Sequence, residues 1–196
     1  MAQNGGIDRR AAIMRAGLTL FAERGFYGTR VPDIADRARV GAGTIYRYFA
    51  TKEALVNAIF QEKKRAVGAV LDGAFDPGKP FEPQCLAVWT MLVAMVEADP
   101  VSFRFLEYHH HAAYLDATSR EVASQAQRGP LDFLESAAAA GFVRQDLSPA
   151  ELLSLVWGAL VGFVRGAEER ASMLKPERVE AAGRVVCRML APGARC

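Results

Sequence analysis

Apolar residues recur along this chain at three- and four-residue spacing, with no useful stretch of strand-like alternation. The pattern predicts an all-α protein of about nine helices. Ile13, Ala16, Leu20 and Phe21 share a first helix, with Asp8 as its cap and Gly25 at its end. Residues 1–6 have no apolar period and contain Gly5–Gly6, so a mobile arm is expected there. Lys52 to Leu71 carries Leu55, Ile59, Phe60 and Val67 and reads as a connecting helix, followed by a Gly- and Pro-rich loop from Asp72 to Pro83. Gln84 to Ala98 is apolar nearly all round, which predicts central burial. Asp99–Pro100 starts a helix to about Ala112, and Asp116 starts a run that Gly129–Pro130 should interrupt before it ends at Gly141. Ser148–Pro149–Ala150–Glu151 is a capping box opening a helix to about Arg170, and the last helix spans Pro176 to about Leu190.

Between the first and the connecting helix lies TRVPDIADRARVGAGTIYRYFATK, Thr29 to Lys52. Two short helices fit inside it. Thr29 is suited to N-cap the first, Pro32 falls in its first turn, and Ile34, Ala35 and Ala38 form a narrow inward face. Arg39–Val40–Gly41 makes the turn. In the second helix, about Ala42 to Tyr48, Ile45 and Phe49 are spaced to face inward. This is the layout of a helix-turn-helix, whose second helix enters the DNA major groove.

The outward residue types suit DNA. Ala42 and Gly43 allow close approach to base edges, and Thr44 offers a methyl and a hydroxyl. Thr29, Tyr46, Arg47, Tyr48 and Lys52 complete the expected set of DNA contacts, with Tyr46, Tyr48 and Lys52 as donors to phosphates. A plain helical hairpin with core aromatics would show the same spacing.

The segment DIADRARVGAGTIYRYFATKEALV goes further. Through Ile34–Ala35, Val40, Gly43–Thr44–Ile45–Tyr46, Phe49 and Lys52–Glu53–Ala54–Leu55 it resembles the DNA-binding signature of the TetR family of bacterial repressors. Ala16 to Phe21 and Gly25–Phe26–Tyr27–Gly28–Thr29 are similar to that family's first helix and its exit, so the likeness covers about residues 8 to 60. The turn departs from the usual pattern: Arg39 stands where a left-handed Gly is common, and Gly41 where a Ser N-cap is common. The resemblance implies a helix-turn-helix domain over 1–51, a connecting helix over 52–71 and an effector-binding and dimerisation domain over 72–196.

Net charge is +2, but residues 1–65 carry +6 and residues 66–196 carry −4, as expected if only one end meets a polyanion. The N-terminal region holds no signal-like apolar run, and the uncharged stretch Leu152 to Val164 is too short to cross a bilayer, so neither secretion nor a membrane partner is expected. Cys85, Cys187 and Cys196 form no metal or redox spacing and suit a reducing cytoplasm; Cys196 is expected to be exposed.

Gly158, Gly162 and Gly166 lie four apart on one helix, with Leu155, Ala159 and Phe163 nearby. Either another helix of the chain approaches them or a second subunit does. In TetR-like proteins the last two helices of each subunit build a four-helix dimer bundle. That implies a homodimer through these six residues with Val179 and Val186. His109–His110–His111 cannot share one helical face, and no His pair stands at i, i+4, so no metal and no cofactor is expected. A cavity formed by Trp89, Met91, Met95, Phe103, Tyr108, His109, His110 and Tyr114 would suit a hydrophobic or aromatic effector with one polar group; the same residues could pack a dry core. No nucleophile–base pair or phosphate-binding loop is visible, so no enzyme is expected. The function expected is a repressor that binds a palindromic double-stranded operator as a homodimer and is released by a small molecule. A helix-turn-helix protein without effector, and a metal-dependent His-cluster sensor or enzyme, are the alternatives.

Overall fold

The structure, a computed structural model, describes residues 3–76, 78–109, 111–170 and 174–192; Cys196 lies outside them. Among the described residues are nine α-helices and no strand: α1 Gln3–Gly28, α2 Val31–Ala38, α3 Ala42–Tyr48, α4 Lys52–Leu71, α5 Phe81–Ala98, α6 Pro100–Glu107, α7 Ala117–Ala139, α8 Pro149–Glu169 and α9 Pro176–Leu190. The chain is all α.

Several boundaries differ from the pattern-based expectation. Helix α1 begins at Gln3, so the expected arm is helical from there and Asp8 lies within it. Gly5–Gly6 weakens a helix by about 1 kcal/mol per Gly but does not forbid one. At Gly25 the backbone turns to φ 69°, ψ 176°, and a last helical turn follows to Gly28. Helix α6 stops at Glu107 rather than near Ala112. Helix α7 passes unbroken through Gly129–Pro130. A proline ring crowds the Cβ of the preceding residue, and Gly129 has none, so the pair stays helical at the loss of one hydrogen bond.

Two compact units divide the chain: Met1–Val67 with Asp99–Gln125, and Gly68–Ala98 with Ala126–Cys196. They cut across the expected boundaries at 51 and 71. Packing explains why: Leu55 and Ile59 of α4 lie against Gly17 in the first unit, whereas Leu71 lines a cavity of the second.

The first unit buries Ile13, Phe21, Ile34, Ile45, Leu55, Ile59 and Phe105 almost completely. Asn57 on α4 is its polar clamp. Its amide donates to the carbonyls of Glu53 and Tyr114, both at 2.8 Å, and its oxygen accepts from the Asp116 N–H and the Ser119 hydroxyl at 2.9 and 2.7 Å. All four of its hydrogen-bonding positions are filled, so burial leaves nothing orphaned. Asp116 in turn caps α7 through the Ser119 N–H at 2.7 Å.

In the second unit α5 packs on α9 and α8. A Cβ on Gly183 would lie 2.6 Å from Leu86 Cδ1 and 2.7 Å from Trp89 Cδ1, so only Gly allows the helices this close. The Trp89 indole N–H donates to the Val179 carbonyl at 2.9 Å. Leu134, Ala137, Val143, Leu152 and Leu190 form a further apolar cluster. The capping box of α8 is present in both directions between Ser148 and Glu151.

Candidate functional site

Helices α2 and α3 pack through Ile34, Ala35 and Ile45, all buried. The turn between them is closed by Arg39 at φ 56°, ψ 45°, the left-handed conformation, with the Arg39 N–H directed to Ala35 and Asp36 carbonyls and the Val40 N–H to Ala35 at 3.0 Å. Arg thus takes the conformation for which Gly is favoured, and the turn keeps its form. Asp33 on α2 accepts from Arg30 at 2.9 Å and from Arg24 of α1 at 3.2 Å. The Arg30 hydrogen bond, above all, holds the Asp33 carboxyl below the usual carboxylate range.

On α3, Ala42, Gly43, Tyr46 and Arg47 are exposed, while Thr44 and Tyr48 are half-buried. An added Cβ at Gly43 would meet nothing within 4 Å, so the start of the helix is open to an approaching surface. Tyr27, 79% exposed at the end of α1, is an aromatic that spacing did not single out; its edge-to-face contact with Phe26 fixes its base.

Two expected DNA contacts are corrected. Thr29 is fully buried and does not cap α2, whose N-cap position is Arg30 without a side-chain bond. The Thr29 hydroxyl donates to the Gly25 carbonyl at 2.8 Å, with the Leu20 carbonyl at 3.1 Å sharing that hydrogen. It seals the break that Gly25 makes in α1. Lys52 is turned inward: its ammonium donates to the Phe26 and Thr29 carbonyls at 2.8 and 3.0 Å and lies over the Phe26 ring. A residue holding two buried-side carbonyls is a brace rather than a phosphate ligand.

The expected effector cavity is not assembled as predicted. Trp89 lines a cavity of about 60 Å³ in the second unit, with Leu71, Phe75, Cys85, Phe133, Trp157 and Leu190 among its walls. Among the described residues, Met91 and Met95 are not among its walls, and neither is any His or Tyr. Phe103, Tyr108, His109 and Tyr114 belong to the first unit and have partners there. Phe103 and Tyr108 meet edge to face at 5.8 Å, and the His109 Nε2–H donates to the Ala22 carbonyl at 2.9 Å. The buried His111 donates through Nε2 to the Phe105 carbonyl at 2.6 Å, which leaves Nδ1 to accept the Tyr114 hydroxyl at 2.8 Å. Tyr114 also stacks on Phe26 at 4.2 Å. Adjacent residues in a turn can reach different carbonyls, which is why the His run became structural. His110 lies outside the described residues. Among those described, no group of three His, Cys, Asp or Glu side chains could hold a metal.

The middle of the outer face of α8, at Leu155, Gly158 and Gly162, is apolar and exposed, with Glu151 before it and the Arg165–Glu169 ion pair after it. Among the described residues nothing lies within 4 Å of a Cβ added at Gly158 or Gly162, so no described helix of the chain makes a close approach at these two glycines. Leu155 is exposed, and Val185 on α9 is 58% exposed. Gly166 is approached by the Arg170 side chain, and Phe163 leans on Trp89 at 5.7 Å. Val179 and Val186, expected at an interface, are instead buried in the chain's own core. The reason is Gly183, which draws the 179–183–186–190 side of α9 onto α5. By length and composition alone α8, at 21 residues, is long and apolar enough to cross a membrane, and 22% of its most apolar window is buried. The 13-residue count from sequence therefore understated it.

Residues 13–59 match the family described as "Bacterial regulatory proteins, tetR family", and residues 60–182 match "Tetracyclin repressor-like, C-terminal domain". The chain is 27% identical over 146 residues to the HTH-type transcriptional regulator YhgD of Bacillus subtilis (strain 168), covering 74% of this chain and 75% of that protein. It is 41% identical over 124 residues to the HTH-type transcriptional repressor KstR2 of Rhodococcus jostii (strain RHA1), covering 62% and 56%. A TetR family transcription regulator from Marinobacter aquaeolei VT8 has the same fold, with a TM-score of 0.83 at 22% identity over 97% of this chain and 99% of that one. With both halves matched, the chain belongs to the TetR family of helix-turn-helix transcriptional regulators.

Proposed function

We propose that this regulator is a cytoplasmic repressor that binds a palindromic operator as a homodimer and leaves it when a small apolar molecule binds. The observation that carries the reading is the outer face of α8. Leu155, Gly158 and Gly162 present an apolar strip with open space above the glycines. A second copy laid on that strip brings two backbones close, and a two-fold dimer carries two recognition helices, the number that a palindromic site with half-sites about 34 Å apart, or a multiple of that, requires. Ala42, Gly43, Thr44, Tyr46, Arg47 and Tyr48 are the contacts proposed for each half-site. The name of the Rhodococcus relative supports repression rather than activation.

The effector site proposed is the cavity walled by Trp89, Phe133 and Trp157. Its described lining is apolar and aromatic and favours a compact hydrophobic or aromatic molecule. Such a molecule lifts repression only by binding better to a form whose recognition helices miss adjacent major grooves, since equal affinity shifts nothing. The protein acts by binding alone, with no chemistry, metal or cofactor.

The test is sedimentation of the purified protein with gel shifts on selected operator DNA. A dimer that binds a two-fold symmetric site and releases it on adding a small aromatic is expected. A monomer bound to a single half-site would overturn the reading.

A further inference from the structure

Three side chains meet where α1 gives way to α2. Asp33, in the first turn of α2, accepts from two guanidinium groups at once. Arg30 clasps it edge on, with Nη2 donating to Oδ1 at 2.9 Å and Nε to Oδ2 at 3.3 Å. Arg24 of α1 donates through Nη1 to Oδ2 at 3.2 Å. The carboxylate is largely covered, its side chain 20% exposed, whereas the Arg30 side chain is 78% exposed. We propose that Asp33 is a positioning residue for DNA binding: steadied by Arg24, it aims the Arg30 guanidinium at a phosphate of the DNA backbone.

The stability of the fold does not account for Arg30. It occupies the N-cap position of α2 without making a side-chain cap, and a cation at that end of a helix opposes the dipole. An exposed ion pair contributes little to folding. Nor does Asp33 cancel the charge beside it, because one carboxylate against two guanidinium groups leaves the cluster at +1. A guanidinium has five N–H donors. Asp33 takes two of those on Arg30, and among the described residues nothing accepts from its Nη1.

Placement gives that free edge its partner. In a helix-turn-helix the first helix crosses the sugar-phosphate backbone while the second enters the groove. Arg30 immediately precedes α2, the first helix of the pair. Lys52 is turned to the Phe26 and Thr29 carbonyls, so a backbone contact here falls to Arg30. A long side chain must give up rotamer freedom to hold a phosphate, and a carboxylate that has already gathered it lowers that cost. Arg24 matters because it fixes the carboxylate from α1, so that the aim of Arg30 is set by two helices rather than one. The inference rests on the DNA-binding role of the family and adds a contact outside α3.

The experiment uses the full chain with two duplexes, one selected by the wild-type protein from a random pool and one of mixed sequence, and reads affinity at several salt concentrations. Arg30→Ala is expected to reduce the slope of log K against log salt by about 1 on both. Asp33→Asn removes a negative charge, which by Coulomb attraction alone tightens binding to DNA. It is expected instead to weaken both duplexes by about two- to fivefold, the worth of one exposed ion pair. Asp33→Glu, which keeps the charge, should recover part of that loss, and in an Arg30→Ala background Asp33→Asn should no longer weaken binding. Urea unfolding of each variant gives the folded fraction under binding conditions, so a weaker α2 does not imitate a lost aim. Asp33→Asn binding as tightly as wild type or tighter would overturn the proposal, because Asp33 would then mask Arg30; so would an equal loss with and without Arg30. A wild-type chain that binds neither duplex would overturn the proposal together with the DNA-binding role beneath it, a failure distinct from the other two.

Discussion

The Lys52 ammonium stands 4.1 Å from the centre of the Phe26 ring and donates to the Phe26 carbonyl at 2.8 Å, so one side chain grips both the ring and the backbone at the exit from α1. The second bond, to the Thr29 carbonyl, ties the chain just before α2 to the start of α4. Hydrogen bonds from a charged donor contribute about 1.5–3 kcal/mol and a cation over a ring about 0.5–1. Lys52→Ala should therefore lower stability by about 2 kcal/mol, seen in urea unfolding. Operator and non-specific DNA binding should fall together, with the salt dependence of the remaining binding unchanged. A flatter salt dependence at full stability would return Lys52 to the phosphate contacts.

His111 makes the first unit sensitive to mild acid. Burial holds its imidazole below the ordinary value of 6.5, with the Phe105 carbonyl opposing and the nearby His109 and Lys64 charges assisting. The unfolded chain therefore takes up a proton before the folded one does. Stability is full above about pH 6.5 and falls as the pH drops through the window between that value and the folded pKa. Thermal unfolding at pH 7.5 and 5.5 should show a loss that is smaller in His111→Gln. An equal loss in both proteins would assign the acid sensitivity to other groups.

Arg39 occupies a left-handed position that costs a residue with a Cβ about 1–2 kcal/mol. Glycine removes that cost but loses more entropy on folding. Arg39→Gly should stabilise the protein by about 0.5–1 kcal/mol, a shift in Tm of a few degrees. Differential scanning calorimetry checks it, and a lower Tm would mean that the Arg39 side chain supplies more than the turn needs.

Much of this arrangement was readable from residue spacing, for reasons that show in the failures. Ile34, Ala35 and Ile45 were legible because helical period and small size dictate a close crossing, whatever surrounds it. Asp99, Asp116 and Ser148 were legible because a cap is a local bond. Thr29 has the right chemistry for a cap and the wrong environment: only the fold shows the Gly25 carbonyl waiting beneath it. Asn57 gave no signal at all, since its four partners come from Glu53 and from the turn and first residues of α7, some sixty residues away. Val179 and Val186 share a period with the outward face of α9, and only the fit of Gly183 against Trp89 decides which side turns in. The His run misleads for the same reason, because carbonyl partners at Ala22 and Phe105 have no mark in sequence.

On the exposed face of α3, roles divide by chemistry. Arg47 is a cation on the recognition helix, and Arg47→Ala, which removes one phosphate partner, should reduce the slope of log K against log salt by about 1 across all sequences. Thr44 is half-buried beside Gly41 and offers a methyl and a hydroxyl to a base edge. Thr44→Ala should leave the slope alone and change preference among operator variants by about 1 kcal/mol. Binding isotherms for both variants at several salt concentrations on matched operator sets separate the two effects; exchanged outcomes would exchange the roles.

Two glycines of neighbouring helices should respond in opposite ways. At Gly183 a new Cβ would meet Leu86 and the rigid Trp89 ring below 3 Å. The Leu86 methyl can turn aside, but the indole is buried and held by its bond to Val179. Overpacking of this kind costs about 1–3 kcal/mol, so Gly183→Ala should unfold at clearly lower urea. At Gly162 the same addition meets open space within the chain, and leaving Gly in a helix interior already costs about 1 kcal/mol. Gly162→Leu should therefore keep or slightly raise the stability of the isolated subunit while blocking the close approach of a second one. Sedimentation should find it monomeric and gel shifts should find its operator affinity much reduced. A dimeric, tight-binding Gly162→Leu would move the subunit contact away from the outer face of α8, and a destabilised one would mean that a partner not seen within the chain already fills that space.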